Sequence, residues 1–191
     1  FNGVVNGDMP VARYTSDGSP DSSFDGDGLV YIGSNGIFEI GHDIKVQPDG
    51  KILIGGEVDN FSTSFDFAIW RLNPNGSLDG SFGTAGLVTT NFGYQDVIYG
   101  MVLQADGKIV ATGNTSDSSS FAGFDYCTVR YTTGGTVDSG FGTNGRARTD
   151  FDDGFDFAEA IALQPDGKIV VAGEAPVGND FNFGVVRYNA N

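Results

Sequence analysis

Short apolar runs recur along the chain, each closed by a cluster of Gly, Asp or Asn. Lys51-Ile52-Leu53-Ile54, Lys108-Ile109-Val110-Ala111 and Lys168-Ile169-Val170-Val171 are β-branched and each runs on toward a glycine, at 56, 113 and 173. Just upstream lie runs such as Glu159-Ala160-Ile161-Ala162-Leu163, ending at Gln164. No stretch keeps a helical period over three turns. Runs of this length, bounded by turn residues, predict strands.

The strands belong to a repeat. Gln47-Pro48-Asp49-Gly50-Lys51 returns as Gln104-Ala105-Asp106-Gly107-Lys108 and Gln164-Pro165-Asp166-Gly167-Lys168, in steps of 57 and 60 residues. An arginine marker at Arg13, Arg71, Arg130 and Arg187 steps by 58, 59 and 57. Asp-x-x-Phe recurs at Asp21 and Phe24, Asp79 and Phe82, and Asp138 and Phe141. Three markers sharing one period make this a tandem array.

Each unit predicts four strands. The first ends at the Gln, and the Asp-Gly hairpin leads into the second. The third is 65–72, 124–131 or 181–188. A Gly-Ser/Thr-x-Asp turn follows, and the fourth is 28–32, 86–90 or 145–149. Four antiparallel strands per repeat is the arithmetic of a propeller blade. The fold class expected is all-β, with propeller-like tandem blades. The chain reads as one array over 1–191, divided into a partial unit 1–38, repeats 39–95 and 96–155, and a partial repeat 156–191.

The run Gln164-Pro165-Asp166-Gly167-Lys168-Ile169-Val170-Val171-Ala172-Gly173, with Phe183-Gly184-Val185-Val186-Arg187-Tyr188-Asn189 and Gly76-Ser77-Leu78-Asp79-Gly80-Ser81-Phe82-Gly83, resembles the delta-60 repeat. These are bacterial, propeller-like repeats of unknown function. The resemblance implies a secreted or cell-surface repeat protein and supplies no catalytic residues.

Phase sets the next expectation. The chain opens inside a third strand and closes at the end of another, about 3.3 repeats where a closed propeller has about 4–8 blades. It begins at Phe1 rather than Met, and reads as a mature product, a processed piece or a fragment. An incomplete propeller, or one completed by self-association through open blade edges or by neighbouring repeats of a longer chain, is expected.

Charge narrows the partners. Twenty-one Asp and four Glu against ten Lys and Arg give a net charge of −15. That surface argues against nucleic acid and against anionic membranes. No apolar run is long enough for membrane insertion.

Seven of the ten cations are locked to the repeat. An arginine recurring at every repeat is read as a tie between blades, made through carboxylates and backbone carbonyls. Asp17, Asp21, Asp25 and Asp27 form the calcium candidate, an oxygen-rich loop suited to a hard cation. The register tempers it, because Asp25 and Asp27 align with Gly83 and Ala85. No other cofactor is expected. Asp150, Asp152, Asp153 and Asp156 form a second acidic cluster of similar standing for a cation, and Asp152, Asp153 and Asp156 within it are the nominees for a polysaccharide hydrolase or lyase. Asp156 aligns with Glu39 and Asp96, which points to structure. Phe61 and Phe121, in the variable loop, are the ligand candidates, able to stack on a glycan or a surface-protein partner.

Three further features stand outside these sets. Gly140-Phe141-Gly142-Thr143-Asn144-Gly145 matches a nucleotide fingerprint, but a strand follows it where a helix is required. His42 aligns with Tyr99 and Glu159, so it is no part of the repeat design, and one His with one Cys makes neither a triad nor a zinc site. Cys127 aligns with Ala68 and Gly184, a small-residue slot. The leading function read from the sequence is a non-enzymatic scaffold, adhesion or filament module. A glycan- or peptide-binding module stands second.

Overall fold

The computed structural model describes residues 8–33, 38–59, 64–116, 123–151, 154–177 and 180–190. Among them there is no helix.

Four antiparallel sheets follow one another along the chain. The first pairs β1 (Met9–Ala12) with β2 (Leu29–Ile32). The second runs β3 (Glu39–Val46), β4 (Ile52–Asp59), β5 (Phe65–Leu72), β6 (Leu87–Thr90). The third repeats that order with β7 (Gln95–Leu103), β8 (Ile109–Ser116), β9 (Asp125–Tyr131) and β10 (Arg146–Thr149). The fourth holds β11 (Phe157–Leu163), β12 (Ile169–Val177) and β13 (Asp180–Tyr188). These are the expected blades: strands three and four, two full sets, then strands one to three.

The hairpins obey the pentapeptide. Gln47 N–H donates to the Lys51 carbonyl and Gly50 N–H to the Gln47 carbonyl, while the Asp49 carboxylate accepts from Lys51 N–H. Gly50, Gly107 and Gly167 sit at φ near +82°, the left-handed conformation that closes a three-residue hairpin loop.

One boundary differs from the sequence reading. The second strand does not stop at its glycine; β4, β8 and β12 run three or four residues past it. The glycine has another cause. Each first strand carries a β-bulge, between Gly41 and Asp43, Ile98 and Gly100, and Ala158 and Ala160. Beside it the backbones close in. A Cβ on Gly56, Gly113 or Gly173 would stand 1.8, 1.8 or 1.9 Å from the carbonyl oxygen of Ile40, Val97 or Phe157. Only glycine fits there.

The cores lie between blades. Met9, Val11 and Phe24 of the first blade pack on Ile54, Ala68 and Trp70 of the second. Leu53, Phe67 and Ile69 of the second meet Ile98, Met101 and Val129 of the third. Val110, Tyr126 and Phe141 of the third meet Ala158, Ile169 and Val171 of the fourth. Each strand alternates, so one face serves the preceding blade and the other the following one. Burying a ring such as Phe67 is worth about 1.5–3 kcal/mol. Tyrosines finish the seams: Tyr131 bonds Thr90, and Tyr188 bonds Thr149, each in the blade before.

Candidate functional site

The locked ions come together as ties between blades. Arg71 Nε donates to the Asp79 carboxylate at 2.7 Å, its Nη1 to the Thr133 carbonyl of the next blade at 2.6 Å, and its guanidinium lies 4.4 Å from the Phe82 ring centre. Arg13 repeats this with Asp21, the Pro74 carbonyl and Phe24. Arg130 repeats it with Asp138, the Ala190 carbonyl and Phe141. Lys51 joins the Asp79 carboxylate at 2.8 Å and Lys108 joins Asp138 at 3.1 Å. The hydrogen bond from Lys51, with those from Ser81 and the charge of Arg71, holds the Asp79 carboxyl far below the usual carboxylate range. Arginine, aspartate and phenylalanine are therefore one device, made three times.

The bulges make a second, less uniform row. His42, Tyr99 and Glu159 are the residues skipped by the ladder in β3, β7 and β11. The residue after each close-approach glycine is Glu57, Asn114 or Glu174. The frame repeats while its side chains differ. At the second blade His42 Nε2 stands 3.6 Å from the Glu57 carboxylate, and its ring lies 5.0 Å from that of Tyr99. Between the third and fourth blades, Tyr99, Asn114, Phe157, Glu159 and Glu174 line a cleft of about 400 Å³. Asn114 is buried and accepts a hydrogen bond from Ala158 N–H at 2.7 Å, which fixes the wall across the blade seam. Burial, then the charges of Glu57 and Glu159, push the Tyr99 hydroxyl above its ordinary pKa.

A family model described as "Domain of unknown function (DUF5122) beta-propeller" matches residues 5–24, 47–82, 104–141 and 164–191. The chain belongs to this beta-propeller family. Three of the four matched segments open at the hairpin pentapeptide or its Gln, and the first three hold the arginine device in full. His42, Tyr99 and Glu159 fall outside the matched segments of this DUF5122 chain. No curated protein matches the chain.

Asp17 accepts from Thr15 and Ser19, Asp21 from Ser23 and Arg13, and Asp27 from Leu29 N–H. The hydrogen bonds from Thr15 and Ser19 lower the Asp17 pKa, and those from Ser23 lower that of Asp21. Asp25 takes φ of +52°, the conformation that Gly83 and Gly142 take in the same register. No three of these four carboxylates gather their oxygens within 4.8 Å of one another. Among the described residues the group that does is Asp125, Asp150 and Asp156, two of them from the second acidic cluster, and Arg148 is ion-paired to Asp125. Asp156 accepts from Phe151 N–H at 2.8 Å, as Asp96 accepts from Phe92 N–H at 2.6 Å. Both anchor the segment that follows a fourth strand. Phe61, Phe121, Asp152 and Asp153 lie outside the described residues. Cys127 is buried in its small slot, and burial pushes its thiol up to about 12.

The sequence reading passed over the bulge row because His42, Tyr99 and Glu159 do not resemble one another. Their shared register was the available signal: a repeated frame displaying three chemistries.

Proposed function

We propose that this propeller chain is a non-enzymatic assembly module of a secreted or cell-surface scaffold, of the delta-60 type, whose open blade faces are covered by self-association or by neighbouring repeats of a longer chain. The observation that carries the reading is a pair of faces. Phe183 is 77 % exposed and Val185 50 % exposed, at the register where Phe67, Ile69, Tyr126 and Thr128 are fully buried by a following blade. At the other end Tyr14 is 62 % exposed, where Leu72 and Tyr131 are fully buried. The same blade-to-blade interface, built three times inside the chain, therefore has its two halves displayed at opposite ends.

Charge fits the match. Arg187 is exposed beside Phe183 and Val185. Its counterparts donate to the carbonyl three residues beyond the next arginine, which in the first blade is Ser16. A joint of one end to the other is heterologous, so it makes rings or filaments. The net charge of −15 supports an extracellular array, since self-repulsion limits unspecific sticking. The use of the locked Arg, Lys and Asp in blade ties supports a non-enzymatic role.

Light scattering after gel filtration tests this. The wild type is expected as a ring of two or more chains or as a large polymer, and the Phe183→Lys/Val185→Asp variant as 20.1 kDa monomers. A monomeric wild type at all concentrations overturns the second copy as occupant. Assembly that survives the double variant overturns the interface.

A further inference from the structure

The cleft at the bulge row is built within two adjacent blades, and its reading does not rest on self-assembly. Its walls are two aromatic rings, Tyr99 and Phe157, and its rim carries two carboxylates, Glu159 and Glu174. Both glutamates are exposed and make no ion pair among the described residues. One blade earlier the same positions are His42 and Glu57, whose Nε2 and carboxylate stand 3.6 Å apart. There the acid faces an imidazole of its own; here it faces no such neighbour among the described residues.

The chain itself shows what a carboxylate beside an aromatic ring holds. Asp21 with Phe24, Asp79 with Phe82 and Asp138 with Phe141 each grip an arginine guanidinium, the carboxylate at its edge and the ring at 4.7, 4.4 and 5.1 Å from its carbon. The planar fork satisfies both surfaces at once, which a compact ammonium does not. We propose that the cleft between Tyr99 and Phe157 binds a guanidinium group from outside the chain, with Glu159 and Glu174 accepting its N–H donors. The cleft volume suits one such side chain with its stem. The bulge explains the aim of Glu159, because a skipped residue is turned out of the ladder while its neighbours stay paired. Phe155 stacks on Phe157 at 6.3 Å and extends the apolar wall for the stem of the ligand. Nearby, burial first and then the charges of Asp156 and Glu159 push the Tyr126 hydroxyl up to about 12.

The test is a titration followed by amide chemical shifts, with four probes. Agmatine presents the group free, the tripeptide Gly-Arg-Gly presents it on a peptide, Gly-citrulline-Gly is the neutral isostere, and methyl glucoside stands for a sugar ligand. Saturable binding of agmatine or Gly-Arg-Gly is expected, with shifts centred on Tyr99 and Glu159. Tighter binding of Gly-Arg-Gly than of agmatine, which also carries an ammonium group, points to a peptide carrier. Citrulline is expected at least tenfold weaker, and Glu159→Gln/Glu174→Gln is expected to lose at least tenfold in affinity for the cation. Both glutamates are exposed, so that variant keeps its fold. Tyr99→Leu keeps the charges, and its loss of affinity reads the stacking separately. Absence of saturable binding, equal affinity for citrulline, preference for the glucoside, or an unchanged constant in the glutamine variant would overturn the proposal.

Discussion

Arg71 and Thr133 lie 62 residues apart, and the guanidinium of the first donates to the carbonyl of the second at 2.6 Å. The same side chain holds Asp79 in its own blade. One residue thus fixes the turn of its own blade and the position of the next. Its deletion leaves the Asp79 carboxylate buried with Lys51 as its one cation and the Ser81 hydrogen bonds. Arg71→Met is expected to cost about 3–5 kcal/mol, the range for breaking a buried pair. Arg71→Lys keeps the charge but loses the fork, and is expected to cost about 2 kcal/mol. Arg13 makes the same contacts in a more exposed setting, so Arg13→Met is expected to cost clearly less than Arg71→Met. Urea unfolding of the three variants checks the order. Equal losses at Arg13 and Arg71 would sink the argument from burial.

Gly113 supports the bulge row from behind. An added methyl would stand 1.8 Å from the Val97 carbonyl oxygen. Gly113→Ala is expected to cost about 3 kcal/mol or more, since backbone must move to admit it. Gly80 has open space around it, and Gly80→Ala is expected to stay within about 0.5 kcal/mol of wild type. Thermal melts of both variants provide the comparison. A tolerated Gly113→Ala would mean the bulge is soft and does not aim Tyr99.

The contrast between these two glycines shows where the sequence is legible. Arg71, Asp79 and Phe82 recur together, so their joint role could be read before any fold was known. The third strand, 65–72, was placed to the residue. Gly56, Gly113 and Gly173 recur as faithfully, yet read as strand ends. The reason for them lies on a partner strand, in a bulge that no local pattern announces. Asp17, Asp21 and Asp27 show a different limit. Their spacing suits calcium, and in the structure each carboxylate also accepts from a backbone or side-chain donor nearby, which spacing does not show. His42, Tyr99 and Glu159 were hidden by their differences, although the alignment had already set them in one register.

Cys127 carries a separate prediction. Its neighbours leave 1 % of it exposed, and burial raises its thiol to about 12. At pH 8 only about one thiol in ten thousand is then ionised, and the thiolate is the reactive form. Labelling by a water-soluble disulfide reagent is expected to be at least about a hundredfold slower in native protein than in urea, by the same reasoning. Rapid native labelling would show that the seam between the second and third blades opens, since Cys127 packs in that core.

Asp96 and Asp79 give stability opposite dependences on pH. Burial raises the Asp96 carboxyl from 3.8 to about 6, against the hydrogen bonds from Phe92 and Thr115 that favour its charged form. The folded chain therefore holds a proton there that the unfolded chain has released. The stability this lends is complete below pH 3.8 and lost as pH rises through about 6. Full loss amounts to about 3 kcal/mol. Asp79 has the reverse sign. Its lowered pKa, set first by the hydrogen bond from Lys51, lends stability that is present above pH 3.8 and lost as pH falls further. Asp96→Asn is expected to flatten the decline between pH 4 and pH 7 and to be the more stable protein at pH 8. Its amide oxygen still accepts from Phe92 N–H, and Thr115 can turn its hydroxyl to accept from the new N–H₂. Asp79→Asn is expected to be the less stable protein at pH 7 and to approach wild type at pH 2. Urea titrations at five pH values separate the two. If Asp96→Asn keeps the wild-type slope between pH 4 and pH 7, the buried carboxyl is charged at neutral pH without cost, and the seam around it is wetter than the geometry indicates.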